Sequence, residues 1–213
     1  MFQLIQKVSR TISYLSVGNL LCCLFFPVGF VGYLPSDKSI YVVFRGSSSI
    51  RNWITNLDAY KTPYTSYPAC KCEVHKGFYS AEQIVIGGII SEVKRLKSIS
   101  SLSTYSVKTT GHSLGAALAQ LTAMGKYLFS IFRKYNLDKV ECIFSTLDLL
   151  KAGYSVSMYN FGQPRVGDQA YAMFSTSTLS SYRVTHDKDI VPHIPLSTGM
   201  DFYHACFEEF EDV

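Results

Sequence analysis

The chain has 213 residues, 47% of them hydrophobic and 17% charged, with a formal net charge of +4. That length and apolar fraction suit one domain with a substantial core, and no internal repeat or low-complexity tract breaks it. The mild basicity comes without a Lys/Arg block or an RNA-binding signature, which excludes a nucleic-acid surface and leaves a solvated, slightly basic exterior that an anionic lipid interface attracts weakly.

From the amino terminus, Lys7 and Arg10 precede an uncharged stretch from Ile12 to Leu34, the layout of a charged n-region before an apolar h-region. Gly18, Asn19, Pro27, Gly29 and Gly32 stand against a membrane span. Residues 1–27 are therefore a secretory signal, an anchor or an N-terminal packed segment, and residues 28–213 form the domain. Val28 to Leu34 and Ser39 to Phe44 are β-rich around Pro35-Ser36-Asp37-Lys38, which predicts two strands and a turn.

Phe78 to Leu96 carries Ile84, Val85, Ile89, Ile90, Val93 and Leu96 at helical spacing, with Lys94, Arg95 and Lys97 near the end, where cations suit the helix dipole. Tyr105 to Thr109 reads as a short strand. From Ser113 onward, Leu114, Ala117, Leu118, Leu121, Met124, Leu128 and Ile131 mark one face of a second long helix. Asp138 to Gly153 is irregular and reads as an insertion. Tyr154 to Phe161 is strand-like, Asp168 to Phe174 begins a helix, Ser175 to Ser181 is a Ser/Thr-rich loop, and Ser181 to His186 is a strand. Strands alternating with helices predict an α/β fold with a mainly parallel sheet and functional loops at its carboxyl edge.

Six cysteines, Cys22, Cys23, Cys70, Cys72, Cys142 and Cys206, suit disulfides in an oxidising compartment, with no pairing readable. Cys70 and Cys72 lack a second ligand pair at zinc-like spacing, so no metal site is expected.

Gly111-His112-Ser113-Leu114-Gly115 fits Gly-x-Ser-x-Gly, in which a serine sits on a strained turn and small neighbours let strand and helix approach closely. The pattern alone is weak; its position between a strand and a helix gives it weight. A serine hydroxyl needs an imidazole to remove its proton and a carboxylate to orient that imidazole. The chain order serine, acid, histidine sets aside His75 and His112 and leaves His186, His193 and His204. His186 precedes the acids Asp187 and Asp189, and His193 is only four residues beyond Asp189 on extended chain. His204 follows a loop long enough to turn back. Asp187 and Asp189 both remain candidates for the acid.

Ile40 to Trp53 (IYVVFRGSSSIRNW), Val74 to Phe78 (VHKGF), Thr110 to Gly115 (TGHSLG), Asn160 to Gly167 (NFGQPRVG), Asp189 to Pro192 (DIVP) and Tyr203-His204 followed by Glu208 and Glu209 together resemble the class 3 lipase family, which includes the fungal triacylglycerol lipases. These blocks span residues 28 to 210 or so in the same order. The resemblance implies an α/β-hydrolase fold and a serine carboxylic-ester hydrolase that needs no cofactor and no metal. It implies Ser113 as nucleophile, Asp189 rather than Asp187 as acid and His204 as base. It implies an oxyanion hole from Ser47 and the N–H of Leu114, aimed at the oxygen that becomes negative.

Ser48 to Leu57 resembles the family's lid, with Ile50, Trp53, Ile54 and Leu57 at i, i+3, i+4 and i+7 on one apolar face. The implied substrate is an acylglycerol ester at a lipid–water interface, met by a secreted monomer in transient contact with a membrane or droplet surface. The neighbouring expectations are a feruloyl or other soluble-ester esterase, a phospholipase, and, from another class, an inactive lipid-binding protein.

Overall fold

Alternation of β-branched and aromatic residues on both sides of Pro35 favours a hairpin, because proline presets the turn and cannot continue a strand ladder. The computed structural model describes residues 13–14, 29–47, 49, 55, 57–124, 154–205 and 207–211. In it, β1 (Ser13–Tyr14), β2 (Gly29–Leu34) and β3 (Ser39–Phe44) pair antiparallel, and β2 and β3 are joined by a 3₁₀ turn at Pro35–Asp37. Lys38 closes that turn in the left-handed region with φ 51°. The expected hairpin is present.

A small antiparallel pair, β4 (Lys61–Pro63) and β5 (Glu73–His75), comes next, with a Cys70–Cys72 disulfide on the connection. This pair has too few residues to announce itself by periodicity. Cys22, Cys23, Cys142 and Cys206 lie outside the described residues.

Helix α1 (Lys76–Lys97) follows at once, capped by the His75 ring, whose Nδ1 accepts from Phe78 N–H at 3.3 Å. It buries Val85, Ile86, Ile89, Ile90, Val93 and Leu96; Ile84, expected on the same stripe, is 53% exposed. Then come β6 (Ser106–Gly111), α2 (Leu114–Ala123), β7 (Val156–Phe161), α3 (Gln169–Thr178), β8 (Ser180–His186) and β9 (Phe207–Glu211). The seven strands of the main sheet run in the order β1-β2-β3-β6-β7-β8-β9, and every pair from β3 to β9 is parallel. A mainly parallel sheet flanked by helices is the architecture the alternation predicts.

Three expectations need correction. Helix α2 has no exposed face: every residue from Gly115 to Ala123 is buried, because the helix lies between the sheet and α1. The Ser/Thr-rich stretch from Ser175 is the end of α3 and the start of β8, not a loop. Its hydroxyls are absorbed locally: Thr176 Oγ1 donates to Ala172 O at 2.8 Å and Ser177 Oγ to Phe174 O at 2.9 Å, so they cost the helix little. Finally, β9 was not expected as a strand. It is held by Glu208, which accepts from the buried Arg183 at 3.0 Å and from Thr185 Oγ1 at 2.9 Å.

Residues 125–153, including the expected far end of the second helix and the expected insertion, lie outside the described residues, as does most of the apolar stretch before Val28. Among the described residues no helix is long and apolar enough to cross a membrane.

Candidate active site

Parallel pairing of β3, β6, β7 and β8 puts their carboxyl ends, Phe44, Gly111, Phe161 and His186, along one edge of the sheet. At β6 the chain must reverse direction into α2 within two residues. A Cβ on Gly115 would stand 2.5 Å from Phe44 O, so only glycine lets the helix begin this close to the neighbouring strand.

Ser113 occupies the apex of the reversal with φ 54° and ψ −125°. A residue with a side chain is strained there by about 1–3 kcal/mol, which surrounding bonds must hold. They do so from both sides: Ser113 N–H donates to Phe161 O at 3.1 Å, and Ser113 O accepts from Ala116 N–H at 2.9 Å. Ser113 is fully buried, and its Oγ has no hydrogen-bond partner among the described residues.

Leu114 is the first residue of α2, so its N–H has no carbonyl within the helix to bind and lies at the helix's positive end. Ser47 follows Gly46 at the end of β3, and Gly46 is close enough to the turn that a Cβ on it would be 3.4 Å from Ser113 Cβ. Gly46 thus borders the serine, with Ser47 next to it in the chain, and Leu114 follows the serine directly. Of the expected lid, Ile50, Trp53 and Ile54 lie outside the described residues, whereas Leu57 is half-buried and packs against the hydrophobic core.

The connection after β8 carries both candidate acids. Asp187 is exposed, with its N–H on Glu211 O at 3.3 Å. Asp189 is half-buried; its Oδ1 accepts from Val191 N–H at 2.9 Å, and its Oδ2 points at Gly162, where a Cβ would be 2.5 Å away. The same Cβ would lie 3.3 Å from His112 Nε2, so Asp189 sits beside the histidine that precedes the serine.

His204 is not seated as the expected base. Its Nε2 lies 2.6 Å from Pro192 O, which as a carbonyl can only accept, so Nε2 carries the proton and Nδ1 is left buried without a partner among the described residues. Burial first, and then the charge of Arg183, push its pKa down to about 3. A base must bond the hydroxyl it deprotonates and be backed by a carboxylate. This ring instead bonds a main-chain carbonyl and is backed by an arginine. His193, set aside from the sequence, is exposed; His186 is exposed at the end of β8. Among the described residues there is no cluster of His, Cys, Asp and Glu that could hold a metal ion.

A set of buried amides under the turn was missed by sequence reasoning: Gln120, Asn160 and Gln163 are each at most 1% exposed. Their signal was available, a glutamine inside the otherwise apolar LGAALAQLTA and an asparagine at an inward position of β7, but spacing alone does not say what they bind.

Comparison with known proteins places these features in company. The family model described as Lipase (class 3) matches residues 41–199. A lipase of Rhizomucor miehei is 39% identical over 171 residues, covering 80% of this chain and 41% of that protein. Secreted mono- and diacylglycerol lipase A of Penicillium cyclopium is 30% identical over 181 residues, covering 84% of this chain and 50% of that protein. The chain thus spans about half the length of these relatives. The crystal structure of a lipase from Rhizopus microsporus var. chinensis superposes with a TM-score of 0.70 at 28% identity, covering 93% of this chain and 61% of that one.

Proposed function

The chain belongs to the class 3 lipase family with its α/β-hydrolase fold, and on that premise we propose that the protein hydrolyses acylglycerol esters through an acyl-enzyme at Ser113. The observation that carries this reading is the serine itself: a buried hydroxyl without a partner among the described residues, held at φ 54° on a strand-to-helix turn at the carboxyl edge of a parallel sheet. Most buried hydroxyls find a partner; one that does not, held at a positive φ on a strand-to-helix turn, is placed for attack on a substrate.

Ser113 Oγ attacks the ester carbonyl while its proton passes to an imidazole, which returns it to the departing alcohol; water then releases the acid. The N–H groups of Leu114 and Ser47, with the Ser47 hydroxyl, receive the oxyanion, and loss of one such donor costs about 3–4 kcal/mol. Asp189 is the carboxylate that orients the imidazole. His204 takes the part of that imidazole only with its ring turned off the Pro192 carbonyl. No cofactor or metal takes part.

Because Ser113 is sealed from solvent, an ester reaches it only after a cover moves aside. The segment 48–57 is given this part by its likeness to the family's lid, with Ile50, Trp53 and Ile54 suited to a lipid surface; Leu57, packed against the core, anchors its far end. The relatives' names, lipase and secreted mono- and diacylglycerol lipase, support an acylglycerol substrate and a place outside the cell.

The test is intact-mass analysis after exposure to a long-chain alkylphosphonate ester, with Ser113→Ala as control. One stoichiometric adduct on Ser113, absent from the control, supports the reading. No adduct on folded protein, with detergent present, overturns it. A second reading, a lipid-binding protein without turnover, is favoured by one observation, the seat of His204 on a carbonyl instead of on Ser113. In that case the phosphonate leaves no adduct, while a fluorescent monoacylglycerol still binds saturably.

A further inference from the structure

The paired part of the β6–β7 ladder runs as far as Thr109 opposite Met158, and a bridge appears again only at His112 opposite Phe161. In the gap the strand begins its reversal, and the main-chain N–H of Gly111 needs another acceptor. It donates to Asn160 Oδ1 at 3.1 Å. The Nδ2 of the same side chain donates to Ala116 O at 2.7 Å, on the first turn of α2. One amide thus grips the chain two residues before Ser113 and three residues after it. Met158 Sδ, 3.0 Å from Nδ2, lies against the same group.

The amide is itself held from behind. Asn160 Nδ2 donates to Gln163 Oε1 at 2.7 Å, Gln163 Nε2 to Gln120 Oε1 at 2.7 Å, and Gln120 Nε2 to Ser175 Oγ at 2.8 Å. Asn160, Gln163 and Ser175 are fully buried and Gln120 is 1% exposed. In such a setting each bond fixes the orientation of the next, because an amide turned over would set donor against donor. The chain of amides runs from α3 through α2 to the end of β7, so three elements share in aiming one side chain.

We propose that Asn160 is a positioning residue for the nucleophile: its amide clasps both limbs of the turn and sets where Ser113 Oγ stands relative to the oxyanion donors. The inference rests on the reading of Ser113 as nucleophile. Serine sits at a strained φ, and Leu114 N–H, one of the donors, lies between the two clasped residues. Letting go of either limb shifts nucleophile and donor relative to each other, and a displacement near 1 Å is enough to slow the chemical step by roughly 10²-fold. Asn160 touches neither substrate nor Oγ and acts only through the backbone.

The experiment compares Asn160→Leu with Gln120→Leu in the full chain. Both delete a buried amide, but only the first releases the turn. Hydrolysis of a water-soluble short-chain ester is measured alongside hydrogen exchange of the Gly111 amide. For Asn160→Leu the expected result is kcat lower by roughly 10²-fold with KM unchanged, and Gly111 exchange roughly tenfold faster than in the wild type. Gln120→Leu, two amides away, leaves Asn160 its own bonds to Gly111 and Ala116, so it loses thermal stability with at most a fewfold change in kcat and in Gly111 exchange.

Equal loss of kcat in both variants, or unchanged kcat and exchange in Asn160→Leu, overturns the proposal. Should Asn160→Leu not fold, Asn160→Asp keeps an acceptor for Gly111 and gives up the donor to Ala116. It is expected to lower kcat while Gly111 stays protected, and unchanged kcat overturns the proposal equally. An inert wild type counts against the esterase reading, whereas Gly111 exchange reports on the clasp whether or not there is turnover.

Discussion

Asp189 Oδ2 fills the space that a side chain on Gly162 would need: a Cβ there would lie 2.5 Å from it, and Gly162 has φ 50°. The carboxylate therefore reaches the Ser113 turn, beside His112, through a position that both close approach and backbone conformation reserve for glycine.

Gly162→Ala is accordingly expected to push Asp189 away from His112 and the turn. Activity should fall by roughly 10²-fold through misplacement of the acid, accompanied by destabilisation of about 1 kcal/mol or more from the positive φ. Ester hydrolysis together with urea unfolding checks both. A fully active variant would mean that Asp189 does not serve Ser113.

Ser113→Gly should give an inert but more stable protein. Glycine adopts φ 54° and ψ −125° without the strain that serine bears, so relief on the order of 1 kcal/mol is expected. A rise in Tm with total loss of phosphonate labelling is the expected pair of results. A lower Tm would show that the turn is not strained.

Replacing His204 with glutamine separates two roles. In the observed seat the ring supports the Pro192 carbonyl, just after Asp189, so the substitution should lower stability by about 1–3 kcal/mol. The proposed part as base, taken with the ring turned toward Ser113, should in addition cost roughly 10²-fold or more in activity per folded molecule; activity within a fewfold of wild type would show that another group takes the proton. Thermal unfolding and ester hydrolysis on the same samples decide between them.

Acid should destabilise the fold below about pH 6.5. Burial depresses His75 to about 4, with the Asp58 backbone working the other way, and burial with Arg183 depresses His204 to about 3. The denatured chain binds these two protons near pH 6.5, whereas the native chain refuses them until lower pH. Their contribution is therefore whole above pH 6.5 and is lost as the pH falls toward 4 and 3. The slope is about 1.4 kcal/mol per pH unit for each proton. Glu208, for which burial works upward but the bonds from Arg183 and Thr185 win, is held below the usual carboxylate range and adds loss in the same direction further down. Urea midpoints measured from pH 4.5 to 7.5 would show the slope; a flat profile would contradict the burial of both rings.

Much of the fold could be read along the chain because its signals are short in range. Pro35 and its flanking β-branched residues announced the β2–β3 hairpin, and the spacing of Val85, Ile89, Val93 and Leu96 announced α1. Other features were hidden for physical reasons. The hydroxyls of Thr176 and Ser177 look like loop chemistry, yet they bond carbonyls within their own helix. The apolar stripe on α2 was only part of a helix buried on every side, since a neighbour such as α1 leaves no trace in local periodicity. Phe207 to Glu211 has no strand signal in its spacing, and β9 forms where Arg183 of β8 lies beside Glu208.

For the site, the Gly-His-Ser-Leu-Gly turn was legible from its spacing together with its place between a strand and a helix, because such a reversal demands small residues within two positions of its apex. Sequence likewise placed an aspartate just past β8. Tertiary structure decided the rest. Asn160 meets Gly111 across 49 residues of chain, and His204 reaches Pro192 rather than Ser113. Such contacts depend on which strands lie side by side and on where a ring turns once Arg183 and the Pro192 carbonyl surround it. Residue spacing carries neither, because hydrogen-bond partners are chosen by distance in space.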